Sequence, residues 1–409
     1  MSSRVNWFES SSGTGSLVPE ATNEDNSPPL QLPPSNNHSV VELLSGKGSS
    51  IKIIDQKNTT TPLHLAAGGG YTGLVELLLS NTPSNLATLK GHTSALELLL
   101  FGKGAPIEAM DKYYNTPLHL ATWNGHADIV DLLLRKGASI EARNLENKTP
   151  LHFAAQDGYT GTVELLLEKG ASVEAMELHN NTPLHLAAWN GHTNIVELPL
   201  EKGSSIEAMD NNNNTLLHLA VWNGHADIVE LLLEKGASIE AMNTDNKTPL
   251  HFAARDGYTG TVELLLEKGA SIDALDKQEH TALYLAAWGG HTGTVELLLK
   301  TGASIDALGK GNTALHLAAW GGQSGAVDFL LKNGASIEAK GLDDRTPLHY
   351  AAQEGYTKLV ELLLERGAST EARNRFNKTP LHMAAERGHT DTVKLLKNKA
   401  SERAHGNRA

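Results

Sequence analysis

Apolar positions along the chain follow a helical period in short runs that come in pairs. In PLHLATW (117–123) the apolar residues share one face, and in ADIVDLLLR (127–135) Val130, Leu133 and Leu134 lie at i, i+3 and i+4. This spacing is typical of amphipathic helices that bury one face. Neither run is long enough to be stable as an isolated helix, so each must pack against a neighbour.

The paired runs recur because the sequence itself repeats. The string Thr-Pro-Leu-His, or a relaxed copy of it, returns every 32 or 33 residues from Thr116 onward. The longer gap after Thr61 contains a further copy at Thr82, since residues 81–100 align without gaps on residues 115–134. A period of this length predicts an array of structural repeats rather than a few separate domains. The predicted repeats start at residues 61, 82, 116, 149, 182, 215, 248, 281, 313, 346 and 379 and together occupy residues 61–401.

The segments outside this array have a different character. Residues 38–60 match a second helix with its following loop, which predicts an N-terminal half repeat. Residues 1–37 are rich in Ser and Pro and hold few apolar residues, which predicts a disordered tail. Residues 402–409 are expected to form a short C-terminal tail.

Each predicted repeat carries its own start and stop signals. Thr116 suits the N-cap of the first helix, and Pro117 suits the first helical position, where a missing N–H breaks no hydrogen bond. Gly125 and Gly137 follow the two helices and accept the left-handed conformation that ends a helix. One second helix, IVELPLEKG, contains Pro199, which predicts either a hinge in the stack or a tolerated local defect near the helix end.

The recurring signature TPLHLAA…GH…IVELLLEKGA…A resembles the ankyrin repeat over residues 38 to about 400. The resemblance implies an all-α repeat solenoid of antiparallel helix pairs, with β-hairpin fingers at right angles and a concave surface. Family members often carry an Asn in the finger that can be hydroxylated, whereas an acidic residue stands there in this chain, so that modification is not expected. The acidic finger residues are Glu141, Glu174, Glu207, Glu240, Asp273, Asp306 and Glu338.

Composition narrows the function classes. Acidic residues outnumber basic ones by 47 to 34, and the net charge of −13 argues against binding to nucleic-acid phosphates. The chain contains no Cys, which excludes disulfides and thiolate chemistry. No run of 18 apolar residues and no stretch of signal-peptide type occurs. We therefore predict no membrane partner and a cytoplasmic location, with the nucleus as the alternative.

The 19 histidines do not predict a catalytic or metal site. Fifteen of them occupy two recurring positions, one in Thr-Pro-Leu-His and one after a glycine. In ankyrin repeats the first position is structural, and its side chain hydrogen-bonds between adjacent turns. No H-E-x-x-H pair, phosphate-binding loop or nucleophile elbow occurs. We therefore expect no enzymatic activity, no cofactor and no metal.

The positions that the repeat pattern leaves free are the candidates for partner binding. In the ankyrin family these are the finger turns and the two residues before the glycine that ends the first helix. Five of the six tryptophans fall seven residues after a repeat's Thr, and Trp is enriched at binding hot spots. The predicted concave-groove residues are Trp123, Asn124, Trp189, Asn190, Trp222, Asn223, Arg255, Trp288, Trp320 and Gln353. The predicted finger residues are Met110, Tyr113, Leu178, Lys277 and Arg345.

The Trp positions leave an alternative open, because each indole could simply pack on the neighbouring repeat and be copied by duplication. Repeat 116–148 matches repeat 215–247 more closely than its direct neighbour, which indicates that a block of 99 residues was duplicated. The predicted function is a monomeric, non-enzymatic scaffold or adaptor that binds a protein partner. The alternatives are a regulatory or effector protein, whose tail signals while the array docks a target, and a passive structural spacer.

Overall fold

The computed structural model describes residues 61–79, 106–201 and 203–406. The predicted tail 1–37, the half repeat 38–60 and most of the repeat that starts at Thr82 lie outside the described residues. The chain divides into two compact units, Met1–Ser139 and Ile140–Ala409, and each is described by itself.

The first unit contains two described helix pairs. The first pair is α1 (Pro62–Gly68) and α2 (Thr72–Leu79), and the second is α3 (Pro117–Trp123) and α4 (Ala127–Arg135). The α1 helix packs on α3, and α2 packs on α4. Like helices of the two pairs are therefore neighbours, which is the arrangement expected of stacked repeats.

The second unit is a stack of helix pairs built in the same way. Its first helices are α5 (Pro150–Gln156), α7 (Pro183–Asn190), α9 (Leu216–Trp222), α11 (Pro249–Asp256), α13 (Ala282–Gly289), α15 (Ala314–Trp320), α17 (Pro347–Glu354) and α19 (Pro380–Glu386). Its second helices are α6 (Thr160–Glu168), α8 (Thr193–Glu201), α10 (Ala226–Glu234), α12 (Thr259–Glu267), α14 (Thr292–Lys300), α16 (Ser324–Lys332), α18 (Thr357–Glu365) and α20 (Thr390–Gly406). A short 3₁₀ turn, Leu342–Asp344, precedes α17.

The core of the second unit lies between neighbouring repeats. Each first helix packs on its partner helix and on the first helix of the next repeat. Ala187, Ala220 and Ala253 are fully buried at the same repeat position. Their small side chains let successive first helices approach closely, so a larger residue there would have to displace a neighbouring helix.

The helix boundaries confirm the start and stop signals in the sequence. Thr182 is the N-cap of α7 in extended conformation, and Pro183 stands at the first helical position. Gly191 and Gly203 follow α7 and α8 at φ values of 85° and 89°, in the left-handed region. The α8 helix continues through Pro199 to Glu201, so this proline does not break the helix.

The fingers are tight turns rather than the expected β-hairpins. Among the described residues the structure contains one isolated β-bridge, between Gly309 and Asn312, and no strand. In a typical finger, Asp210 Oδ1 accepts the backbone N–H groups of Asn212 and Asn214, each at 2.8 Å. This side chain satisfies the donors that a hairpin partner would otherwise satisfy, and it folds the chain into a turn.

The last helix extends beyond the repeat boundary that was predicted at residue 401. The α20 helix runs to Gly406, so part of the expected tail 402–409 is helical and residues 407–409 lie outside the description.

Candidate functional site

A histidine in the first turn of several first helices bonds to the finger that follows, and His218 shows the arrangement. His218 Nδ1 accepts the backbone N–H of Thr215 at 3.2 Å, so this nitrogen carries no proton. The Nε2–H group then donates to the backbone oxygen of Lys247 in the following finger at 3.0 Å. Burial lowers the pKa of His218 to about 4, because removing the ring from water penalises its charged form. The His218 ring is therefore a neutral hydrogen-bond donor in the role that the resemblance implied for this position.

The histidine after the glycine makes a second link between repeats. His225 Nε2 donates to the backbone oxygen of Trp189 at 2.8 Å. The same ring covers Gly191, where an added Cβ would lie 2.7 Å from the imidazole Cε1 atom. His192 covers Gly158 in the same way, with a corresponding distance of 2.6 Å. The glycine therefore both ends a helix and makes room for a ring of the next repeat.

The acidic finger residues also connect repeats, a role that the sequence reasoning missed. Glu207 Oε1 accepts the backbone N–H of Ser238, 31 residues later, at 2.7 Å. Glu174 and Glu240 accept from the corresponding serines at 3.0 and 2.7 Å. The signal for this role was available, because an acidic residue and a Ser recur together at a constant separation of 31 residues.

The predicted tryptophans occupy equivalent places at the ends of the first helices. Trp123 is half-buried in the first unit. In the second unit the half-buried tryptophans are Trp189, Trp222, Trp288 and Trp320. None is fully covered, so each indole keeps part of its surface in contact with solvent.

The indoles of the second unit also contact their neighbours, so the packing alternative describes part of their environment. Trp189 and Trp222 meet edge to face at a centroid distance of 5.4 Å. Trp222 packs on Phe252 at 5.1 Å, and Trp320 packs on Tyr350 at 5.9 Å. Trp222 and Trp320 occupy the same repeat position, and so do Phe252 and Tyr350. The two Trp contacts lie three repeats apart, so the duplicated block repeats the contact between its aromatic rings.

Arg255 and Gln353 replace Trp in this repeat position, and both are held by neighbouring side chains. Arg255 lies over the Trp222 ring at 5.2 Å and donates through Nε and Nη2 to the Asp256 carboxylate at 2.8 and 2.7 Å. Gln353 is buried, and its Oε1 accepts from Arg345 at 3.0 Å. Arg345, which the sequence placed among the finger contacts, is therefore turned towards its own first helix, and it lies over Tyr350 as well.

The asparagines beside the tryptophans use their amide groups within their own helices. Asn190 Nδ2 donates to the backbone oxygen of Leu186 at 2.8 Å, and Asn223 Nδ2 donates to that of Leu219 at 3.0 Å. Asn124 does the same in the first unit, where it bonds to Leu120 at 2.8 Å. The Leu120 and Leu219 oxygens also accept the backbone N–H of Asn124 and Asn223, so each amide adds a second hydrogen bond to a carbonyl at the helix end.

The other predicted finger residues project from the surface. Met110 and Tyr113 are exposed in the first unit, and Leu178 and Lys277 are exposed in the second. Sequence reasoning missed several exposed apolar finger residues, among them Leu275 and Leu308, and the buried aromatic partners Phe252 and Tyr350. For Leu275 and Leu308 the available signal was their recurrence at the same finger position as Met176, Met209 and Met242.

No group of three or more His, Asp or Glu side chains that could hold a metal ion occurs in the described part of the chain. Within the same residues, no helix combines the length and the apolar character needed to cross a membrane.

The family comparison agrees with the repeat architecture. A family model described as ankyrin repeats in three copies matches residues 84–177, 175–243, 239–308, 272–341 and 315–408. A single ankyrin repeat matches residues 58–88. The chain belongs to the ankyrin repeat family, whose repeats are generally modules of protein–protein interaction. No curated protein matches the chain significantly.

Proposed function

We propose that this protein is a non-enzymatic scaffold that binds a protein partner on the surface formed by the first-helix ends and the fingers. The observation that supports this proposal is the recurrence of half-buried indoles in the second unit, at Trp189, Trp222, Trp288 and Trp320. A partly exposed indole offers a large apolar area and loses little conformational freedom on binding. A monomeric state and a cytoplasmic location stay predictions from the sequence.

Aromatic contacts hold the indoles before any partner arrives. Trp222 lies between Trp189 and Phe252, with Arg255 over its ring. Such pre-organisation reduces the entropy lost in association, so a few anchors can supply most of the affinity. In a passive spacer the same contacts would contribute to stability alone. Replacing the indoles would then leave partner binding unchanged, whereas in a scaffold it would abolish binding.

The test is affinity capture from the source cells with the full chain and with a variant carrying Gln at the four tryptophan positions of the second unit. We expect the variant to fold, as shown by its circular dichroism spectrum, and to lose the partner that the parent chain retains. The control variant carries Glu168→Gln, Glu234→Gln and Glu267→Gln at exposed second-helix positions. An unchanged set of partners in the folded Trp variant would support the spacer and overturn the scaffold proposal.

A further inference from the structure

A row of exposed apolar side chains crosses five successive fingers of the second unit. The finger row consists of Met176, Met209, Met242, Leu275 and Leu308, which are exposed by 42%, 44%, 48%, 50% and 57%. In the first of these fingers the flanking residues Ala175 and Glu177 are buried. Buried and exposed side chains therefore alternate along this part of the finger, and one apolar side chain per repeat points outwards. Exposed apolar side chains that recur along a stack in this way are typical of an interaction surface.

Backbone hydrogen bonds between the turns hold neighbouring fingers of this row side by side. Asn211 N–H donates to the His179 oxygen at 2.9 Å, and Thr244 N–H donates to the Asn212 oxygen at 2.8 Å. The next pair is joined in the same way, from Lys277 to the Asp245 oxygen at 2.8 Å. The spacing along the row is therefore set by the stack and does not depend on flexible loops.

A second row, of carboxylates, runs beside the apolar one. The carboxylate row consists of Glu174, Glu207, Glu240, Asp273 and Asp306, each two residues before a member of the finger row. Each carboxylate residue lies in the turn that precedes its apolar neighbour, and some of these turns are closed by a backbone hydrogen bond, such as that from Ala241 N–H to the Ser238 oxygen at 3.2 Å. Four of them accept a serine N–H of the next repeat at 2.7 to 3.2 Å. A carboxylate offers about four acceptor sites, so these groups retain capacity for a cation.

Basic residues stand at both ends of the finger row. The preceding repeat has Arg143 at the equivalent position, and the following repeat has Lys340; both are exposed. Arg143 also donates to the Met176 backbone oxygen at 2.9 Å, so it lies at the margin of the row. The apolar surface is therefore limited to five repeats.

We propose that the finger row binds a basic amphipathic helix of a partner protein, with the helix lying along the stack. The apolar face of that helix contacts the Met and Leu side chains, and its Lys and Arg side chains pair with the carboxylate row. This inference rests on the proposed scaffold function and gives the chemical class of the partner. An acidic or polar segment would place like charges or unpaired groups against the same carboxylates.

The repeat spacing favours a helix over an extended peptide. Packed helices stand about 8–10 Å apart, and seven residues of an α-helix advance about 10.5 Å on nearly the same face. Three residues of an extended chain cover a similar length, but they place the side chain on the opposite face. The four intervals of the finger row span roughly 32–40 Å, which corresponds to a helix of roughly 21–27 residues.

The test uses a fluorescein-labelled synthetic peptide of 25 residues as the probe, with Leu in heptad register and Lys at the flanking positions. Two further probes carry Glu in place of Lys, or the same residues in scrambled order. Fluorescence anisotropy with the full chain is expected to show binding of the basic heptad probe, at least tenfold tighter than that of either other probe. Binding is expected to weaken as salt is added.

Two variants of equal charge change locate the bound probe. Glu174→Gln, Glu207→Gln and Glu240→Gln keep an acceptor for each serine N–H, and we expect them to weaken binding at least tenfold. Glu168→Gln, Glu234→Gln and Glu267→Gln remove the same charge from second helices and are expected to change binding less than twofold. Equal weakening in both variants, or equal binding of the scrambled probe, would overturn the proposal. If the probe fails while the cellular partner is still lost from the Trp variant, the partner chemistry is wrong and the scaffold function stands.

Discussion

Single residues in this protein serve two structural roles at once. His218 satisfies the N-cap of its own helix and donates to the next finger, and Gly191 ends one helix while it makes room for His225. The contact between Gly191 and His225 crosses a repeat boundary, so a change in either residue is felt in two repeats. Two predictions belong to this scale. The first separates the cost of a contact between repeats from the cost of a strained backbone conformation, and the second concerns the buried histidines.

The first prediction compares two glycines that share a left-handed conformation. Gly191→Ala and Gly203→Ala should each lose about 1 kcal/mol because Ala disfavours a positive φ. Gly191→Ala should lose more, since its Cβ would meet the His225 ring, whereas nothing lies within 4 Å of the Cβ position at Gly203. Urea unfolding of the two variants measures the difference. In a background that carries His225→Ala, the additional destabilisation by Gly191→Ala should disappear. Equal losses for the two glycine variants in the parent chain would show that the His225 ring moves aside without cost.

The second prediction is that stability falls as the pH drops below 6.5. Burial lowers the pKa of His152 to about 3 and those of His218 and His316 to about 4. The unfolded chain therefore binds more protons than the folded chain at these pH values, and the free energy of unfolding decreases as the pH falls from 6.5 towards 4. Each such histidine should cost about 2 kcal/mol between pH 7 and pH 5. Urea midpoints at the two pH values measure this, and equal midpoints would contradict the neutral, buried role of the rings.

At the scale of the element, each helix is too short to be stable alone and depends on its neighbours. The cap residues set the helix ends, and the buried alanines set how closely first helices approach. Pro199 is the exception, because it lies within α8 and cannot donate to the carbonyl four residues earlier. The helix continues past it to Glu201, so the missing N–H costs a hydrogen bond within α8.

The third prediction concerns this proline. Pro199→Leu should raise the free energy of unfolding by about 1–3 kcal/mol, because it restores a donor and fills the position that the fully buried Leu232 fills in the next repeat. Chemical denaturation followed by circular dichroism measures the gain. The matched control is Leu232→Pro, which should lose a comparable amount. A destabilised Pro199→Leu variant would mean that the stack has adapted its packing to the proline.

The sequence predicted most of the helical architecture because caps, glycines and apolar positions recur with the period of the fold. It failed at the fingers, where Asp210 and its counterparts replace hairpin pairing with side-chain hydrogen bonds. It placed Asn190 in the groove and Arg345 among the finger residues, and it gave no sign that both side chains bond to their own first helix. Repetition shows that a position is free of the common core, but not where its side chain points, since that depends on contacts with the neighbouring repeat.

At the scale of the whole molecule, repetition produces rows of side chains rather than a single site. In the second unit the stack aligns the tryptophan positions, the finger row and the carboxylate row across successive repeats. We infer that binding energy is distributed along these rows, so a change at one repeat should weaken binding while changes at several should abolish it.

The fourth prediction follows from this distribution. Met209→Ser alone should weaken binding of the basic heptad probe about threefold to tenfold, because a single anchor is lost. Met176→Ser, Met209→Ser and Met242→Ser together should remove detectable binding at the same protein concentration. Anisotropy titrations measure both affinities. A triple variant no weaker than the single one would show that the probe binds at one finger instead of along the row.

The central claim, that a protein partner binds on the first-helix ends and fingers, is tested most directly by hydrogen–deuterium exchange of the full chain with and without its captured partner. We predict slower exchange in the fingers from Met176 to Leu308 and at the ends of α7 and α9. Second helices such as α10 and α12 should exchange at the same rate in both states. Protection confined to the second helices, with fingers unchanged, would contradict the account.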